Sequence, residues 1–119
     1  MPKLVVLITP QLEEGYEIAE AWQENGAPGV TLIDGYGLFR LQEATRKSEV
    51  LPGMLSMLEI VRSRQDNNII LLCIVDDPAM ADTLIGIADS KLGGLPEPHN
   101  GIAFVVDVEK VVGLRHVGE

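Results

Sequence analysis

Ile69–Val75, IILLCIV, is seven consecutive apolar residues. A strand with one solvated face alternates apolar and polar side chains, and this one does not. The run is far too short to cross a bilayer as a helix. It is predicted to be a central strand, covered by helices on one face and sealed by a subunit contact on the other. A second dense run, Lys3–Thr9, carries two valines and an isoleucine and reads as another buried strand. With two such strands in 119 residues, the chain is expected to form one domain over residues 1–119 around one core.

The intervening segments read as helices. Pro10 opens the first, where Leu12, Tyr16, Ala19 and Trp22 recur at spacings of three and four and Glu13, Glu14, Glu17, Glu20 and Glu24 fill the outer faces. Gly26 ends it as a left-handed residue would. Gly29–Asp34 is predicted as the second strand. Leu51, Met54, Leu55, Leu58 and Val61 form a further helical stripe, followed by a polar turn at Gln65–Asn68. Asp77-Pro78 supplies an N-cap side chain and a first-turn proline. Met80, Leu84 and Ile87, flanked by Ala81 and Ala88, give that helix its inward face, and Gly93-Gly94 stops it. Ile102–Leu114 is a last extended segment. The order predicts an α+β, ferredoxin-like βαββαβ plan: an antiparallel sheet with helices on one face and an extra helix after the second strand. A parallel, flavodoxin-like sheet needs more strands than the chain supplies.

A net charge of −9 disfavours nucleic-acid phosphates and anionic membrane surfaces. The apolar run LVVLI is shorter than the apolar region of a signal peptide, and the single cysteine, Cys73, fits a reducing compartment, so a cytoplasmic protein without membrane insertion is expected. Cys73 lies inside an apolar strand and reads as inert core. His99 and His116 are the only histidines, too few for a zinc site within one chain. No Ser-His-Asp order, carboxylate pair or P-loop lysine is present, and Asp76-Asp77 fits helix capping, so no catalytic residue is assigned. The segment DGYGLFR then stands out. Gly35 and Gly37 either form a turn or lay the backbone bare for a ligand. Phe39 reads as a loop anchor in preference to a stacking face, Arg40 as solvated in preference to ligand-bound, and Arg46 and Lys47 follow in a charged loop.

At the C-terminus, GIAFVVDVEKVVGLRHVGE resembles the last strand region of the PII signalling proteins, which commonly reads G-K-I-F-V-x-P-V-E-R-V-I-R-I-R-T-G-E. The likeness falls on Gly101, Phe104, Val105, Val108, Glu109, Val111, Arg115, Gly118 and Glu119. Gly29-Val30-Thr31 resembles the family's G-[LM]-T at the second strand. Gly35-Tyr36-Gly37 resembles its G-[FY]-G at the base of the T-loop, and Val75-Asp76-Asp77 stands where the family has V-x-D-E.

The resemblance implies a ferredoxin-like homotrimer that binds ATP, ADP or another small anion in clefts between subunits and signals through its T-loop to a transporter or enzyme. It places Thr31, Gly35, Tyr36, Gly37, Phe39, Arg40, Gly101 and Arg115 around the effector, with Arg46 and Lys47 as partner contacts. Departures accompany it. Typical members carry T-G-x-x-G-D-G-K before the last strand, whereas this chain has GGLPEPHNG, without the lysine and with Glu97. Gly113 stands where typical members have one of two arginines, and Leu38 replaces the glutamine beside Gly-x-Gly. The expectation is a divergent, non-enzymatic PII-like sensor. The alternative is a CutA-type metal-tolerance protein or a small trimeric ferredoxin-like enzyme.

Overall fold

The computed structural model describes residues 1–36, 67–95 and 100–114. Lys3–Thr9 forms β1, Leu12–Glu24 α1, Thr31–Tyr36 β2, Asn67–Val75 β3, Pro78–Leu92 α2 and Ile102–Asp107 β4. The four described strands run in the order β2-β3-β1-β4, and every neighbouring pair is antiparallel. Two interleaved βαβ units produce this order, so the fold is the α+β, ferredoxin-like arrangement expected. The further helical stripe, Leu51–Val61, lies outside the described residues.

Register decides the two faces. Val5 stands opposite Cys73 on one side and Val105 on the other, so these side chains share a face. On that face Val5, Leu7, Thr9, Ile69, Leu71, Cys73 and Val75 are buried under the helices. Ile70, Leu72 and Ile74 turn to the opposite face and are only half-buried. IILLCIV is therefore uniform in chemistry but alternates in burial. The same open face carries Ile33, Ile102, Phe104 and Val106, which are between 39% and 56% exposed.

The helices sit differently from a simple count of apolar residues. The buried stripe of α1 is Gly15, Ile18, Ala19 and Trp22, and Tyr16, expected to face inward, is 43% exposed. Gly15 takes the inward position because its missing side chain lets α1 approach Ile69. Trp22 is fully buried, and its indole Nε1 donates to the Leu84 carbonyl at 2.9 Å, tying α1 to α2. In α2 the buried stripe is Ala81, Leu84, Ala88 and Leu92, with Met80 and Ile87 packed at its margin.

Both ends of α2 follow the sequence. The Asp77 carboxylate accepts from the Ala79 amide at 2.9 Å, Pro78 opens the first turn, and Gly93 closes the helix at φ +80°. Boundaries moved elsewhere. β2 begins at Thr31 and runs to Tyr36, and β3 begins at Asn67, inside the predicted turn, because ladder pairing with β2 extends it. The last regular strand stops at Asp107, and Val108 instead donates its amide to the Pro2 carbonyl at 2.9 Å.

The glycines within α1 and α2 should respond oppositely to alanine. A Cβ on Gly15 would overlap the Ile69 side chain, so Gly15→Ala is expected to lose about 1–3 kcal/mol through overpacking. A Cβ on Gly86 meets nothing within 4 Å, so Gly86→Ala should gain about 0.5–1 kcal/mol and raise Tm by about 2–5 °C. Thermal and urea unfolding of the two variants checks both signs.

Candidate functional site

An apolar groove of about 460 Å³ opens at one end of the uncovered sheet face. Leu4, Leu72 and Ile74 form its floor, Pro28–Thr31 one wall, and Gly113 and Leu114 the other. The wall at Gly113 depends on backbone shape: its φ is +91°, a conformation that glycine adopts without cost. Thr31, one of the residues expected around an effector, is part of this lining. The described lining contains no charged side chain. Cys73 also borders the groove, but the residue is only 2% exposed. Burial pushes its pKa above the usual thiol value, partly offset by a hydrogen bond from the Gly29 amide.

At the opposite end of the sheet, the loop between α2 and β4 is pinned at both of its described ends. Thr9 is completely buried. Its hydroxyl donates to the Asn100 carbonyl at 2.7 Å and accepts from the Gln11 amide at 3.1 Å. The Gln11 side-chain amide donates to Asn100 Oδ1 at 2.8 Å, and Asn100 Nδ2 donates to the Gly94 carbonyl at 2.7 Å. The Asp89 carboxylate accepts from the Leu95 amide at 2.7 Å. This network sets Gly101 against β1, with φ at +133° and an added Cβ only 2.5 Å from the Ile8 carbonyl oxygen. Only glycine fits there. Nothing in the periodicity marked Thr9, Gln11 or Asn100, since their partners are about ninety residues apart in sequence.

The other expected site residues are dispersed. Gly35 stands beside Asn68 near the end of β2, and a Cβ there would fall 2.9 Å from Ile70 Cδ1, so glycine leaves room for that side chain. Tyr36 ends β2. Gly35 belongs to one edge strand, while Gly101 leads into the other. Three strand spacings separate those edges, roughly 14 Å in all. Gly37, Phe39, Arg40, Arg46, Lys47 and Arg115 lie outside the described residues.

Charge within the described residues is sparse near both features. Lys3 pairs with Asp107 across β1 and β4, and its hydrogen bond holds the Asp107 carboxyl below its usual pKa. Among the described residues, no three His, Cys, Asp or Glu side chains are grouped to hold a metal ion, and no helix is long and apolar enough to cross a membrane. His99 and His116 lie outside them.

Compared by sequence, no protein family and no curated protein matches the chain. Compared by structure, it is similar to B. subtilis GlnK, solved as an ATP complex, with a TM-score of 0.52 over 90% of this chain and 81% of that one. The two chains share a fold. Identity is 14%, so the likeness is one of fold alone.

Thr9→Val keeps the volume and removes the hydroxyl, leaving the half-buried Asn100 carbonyl and Gln11 amide without that partner. It should cost about 1–3 kcal/mol in urea unfolding. Cys73 should react with a thiol reagent at pH 7.5 far more slowly in the native protein than in denaturant, because burial favours the neutral thiol.

Proposed function

We propose that the protein is a non-enzymatic, PII-like sensor that assembles as a homotrimer and binds a small anionic effector between subunits. The observation that carries this reading is the division of the candidate residues between the two sheet edges. Thr31 and Gly35 are on β2, and Gly101 is beside β4. A compact anion cannot touch both edges of one subunit across roughly 14 Å, but abutting two copies would bring β2 of one toward β4 of the next. The uncovered apolar face, with Ile33, Ile102, Phe104 and Val106 exposed, supports burial against other copies.

The ATP bound to the structural neighbour supports an adenine nucleotide as one effector class, with another small anion as the broader description. The groove edged by Thr31 offers apolar walls for a flat base, and Arg115, which follows Gly113 and Leu114 in sequence, is assigned the anionic part. Gly37, Phe39 and Arg40 are assigned to the same site, and Arg46 and Lys47 to contact with a regulated transporter or enzyme. Two cations of the usual phosphate set are missing from the sequence. Each charge-assisted hydrogen bond lost is worth about 1.5–3 kcal/mol, so ATP should bind at least tenfold more weakly than to a member that has both.

Light scattering tests assembly: a mass about three times the 12.9 kDa chain is expected, and a stable monomer at micromolar concentration would reject the trimer. Calorimetry with ATP and ADP then tests the effector. Weak binding, lost in Arg115→Ala and without nucleotide turnover, is the expected result. Tight, magnesium-dependent ATP binding would show that the missing cations were overvalued. Replacing Arg46 and Lys47 by alanine should weaken partner capture while leaving the mass and Tm unchanged.

A further inference from the structure

A separate groove of about 380 Å³ runs between α1 and β2 on the helix-covered side of the sheet. Tyr16, Ala19, Val30 and Leu32 provide its apolar surface, and Glu17 and Glu20 form its acidic rim. Its exposure has a structural cause. β2 ends the order of the described strands, so none of them shields Leu32 on its outer side, and the inward turn of Gly15 rotates Tyr16 outward. Tyr16 and Leu32 are each 43% exposed.

We infer that this groove docks a partner-protein segment that presents arginine or lysine beside large apolar residues. Three observations favour that occupant. First, α1 carries Glu13, Glu14, Glu17, Glu20 and Glu24 and no lysine or arginine, so no basic side chain of the helix itself offsets its charge. Second, Glu17 and Glu20 lie three apart, on one side of the helix, and neither has an ion-pair partner among the described residues. An arginine fork can meet that pair while its aliphatic stem covers Tyr16 or Leu32. Third, the lining follows α1 from Tyr16 to Gln23 and β2 from Val30 to Leu32, a course along which a chain segment can lie.

A second copy of this chain is a poor occupant. The chain carries nine more negative than positive charges, and among the described strand residues Asp107 is offset by Lys3 while Asp34 stands in excess. Like-charge contact with the acidic rim would oppose that pairing. The groove lies on the helix side of the sheet, opposite the apolar face assigned to self-association, and shares with that assembly only its β2 edge. Trimer mass and nucleotide binding are therefore measured apart from peptide binding.

The test uses the full chain and a fluorescein-labelled peptide of alternating leucine and arginine, read by anisotropy at physiological salt. Saturable binding is expected. The double variant E17Q/E20Q should weaken it roughly tenfold, as removal of two charged contacts would. L32S should weaken it by a similar factor through lost apolar contact. The control D82N/E109Q makes the same charge change at exposed positions outside the groove lining and should stay within about twofold of the wild type. Circular dichroism confirms that each variant is folded. Equal weakening in the control, or equal affinity for a serine–arginine peptide, would reduce the effect to bulk charge and overturn the inference. Absence of saturable binding up to about 1 mM, the weak limit for a specific contact, would overturn it as well.

Discussion

α1 and α2 lie on the same face of the four described strands, and the organisation of the described residues follows from that placement. α1 and α2 bury Val5, Leu7, Ile69, Leu71, Cys73 and Val75 on one side. On the other, Leu4, Val6, Ile8, Ile70, Leu72 and Ile74 continue an apolar surface that reaches the exposed β4 side chains. A strand that is apolar on both faces is costly to leave half-wet. The same uncovered face contributes the floor of the groove beside Thr31, so the surface that calls for association and the surface that could receive a ligand are continuous.

Much of the architecture was legible in the sequence because it rests on local signals. Asp77-Pro78 and Gly93 mark the ends of α2 through capping chemistry that involves only neighbouring residues. IILLCIV marks a central strand because no solvated element tolerates seven such residues. Orientation of α1 was less legible. A stripe drawn through Leu12, Tyr16, Ala19 and Trp22 treats glycine as blank, whereas the close approach at Ile69 makes Gly15 the innermost position. The ends of β2 and β3 were shifted by their mutual pairing, which no single strand reveals.

The candidate site divides along the same line. Thr31, indicated by its motif, does border a groove. Gly35 has an explanation in side-chain packing, beside Ile70, that a glycine-rich motif cannot express. Gly101 proves more constrained than its motif suggested, since both its backbone angle and the Ile8 carbonyl forbid a side chain. The polar latch that places it joins Thr9 and Gln11 to Asn100, and such long-range pairs leave no periodic trace. Electrostatics is divided too: the described walls of the groove beside Thr31 are uncharged, while the carboxylates gather along α1.

Trp22 is the chain's single tryptophan, and its indole sits at the seam where α1 meets α2, donating to Leu84. Its emission is therefore an internal optical gauge of one joint. Loosening the helices from each other would admit water and shift the spectrum to the red, whereas an event confined to the uncovered sheet face would leave it unaltered. The molecule thus carries its own label for telling a rearrangement of its core from an occupation of its surface.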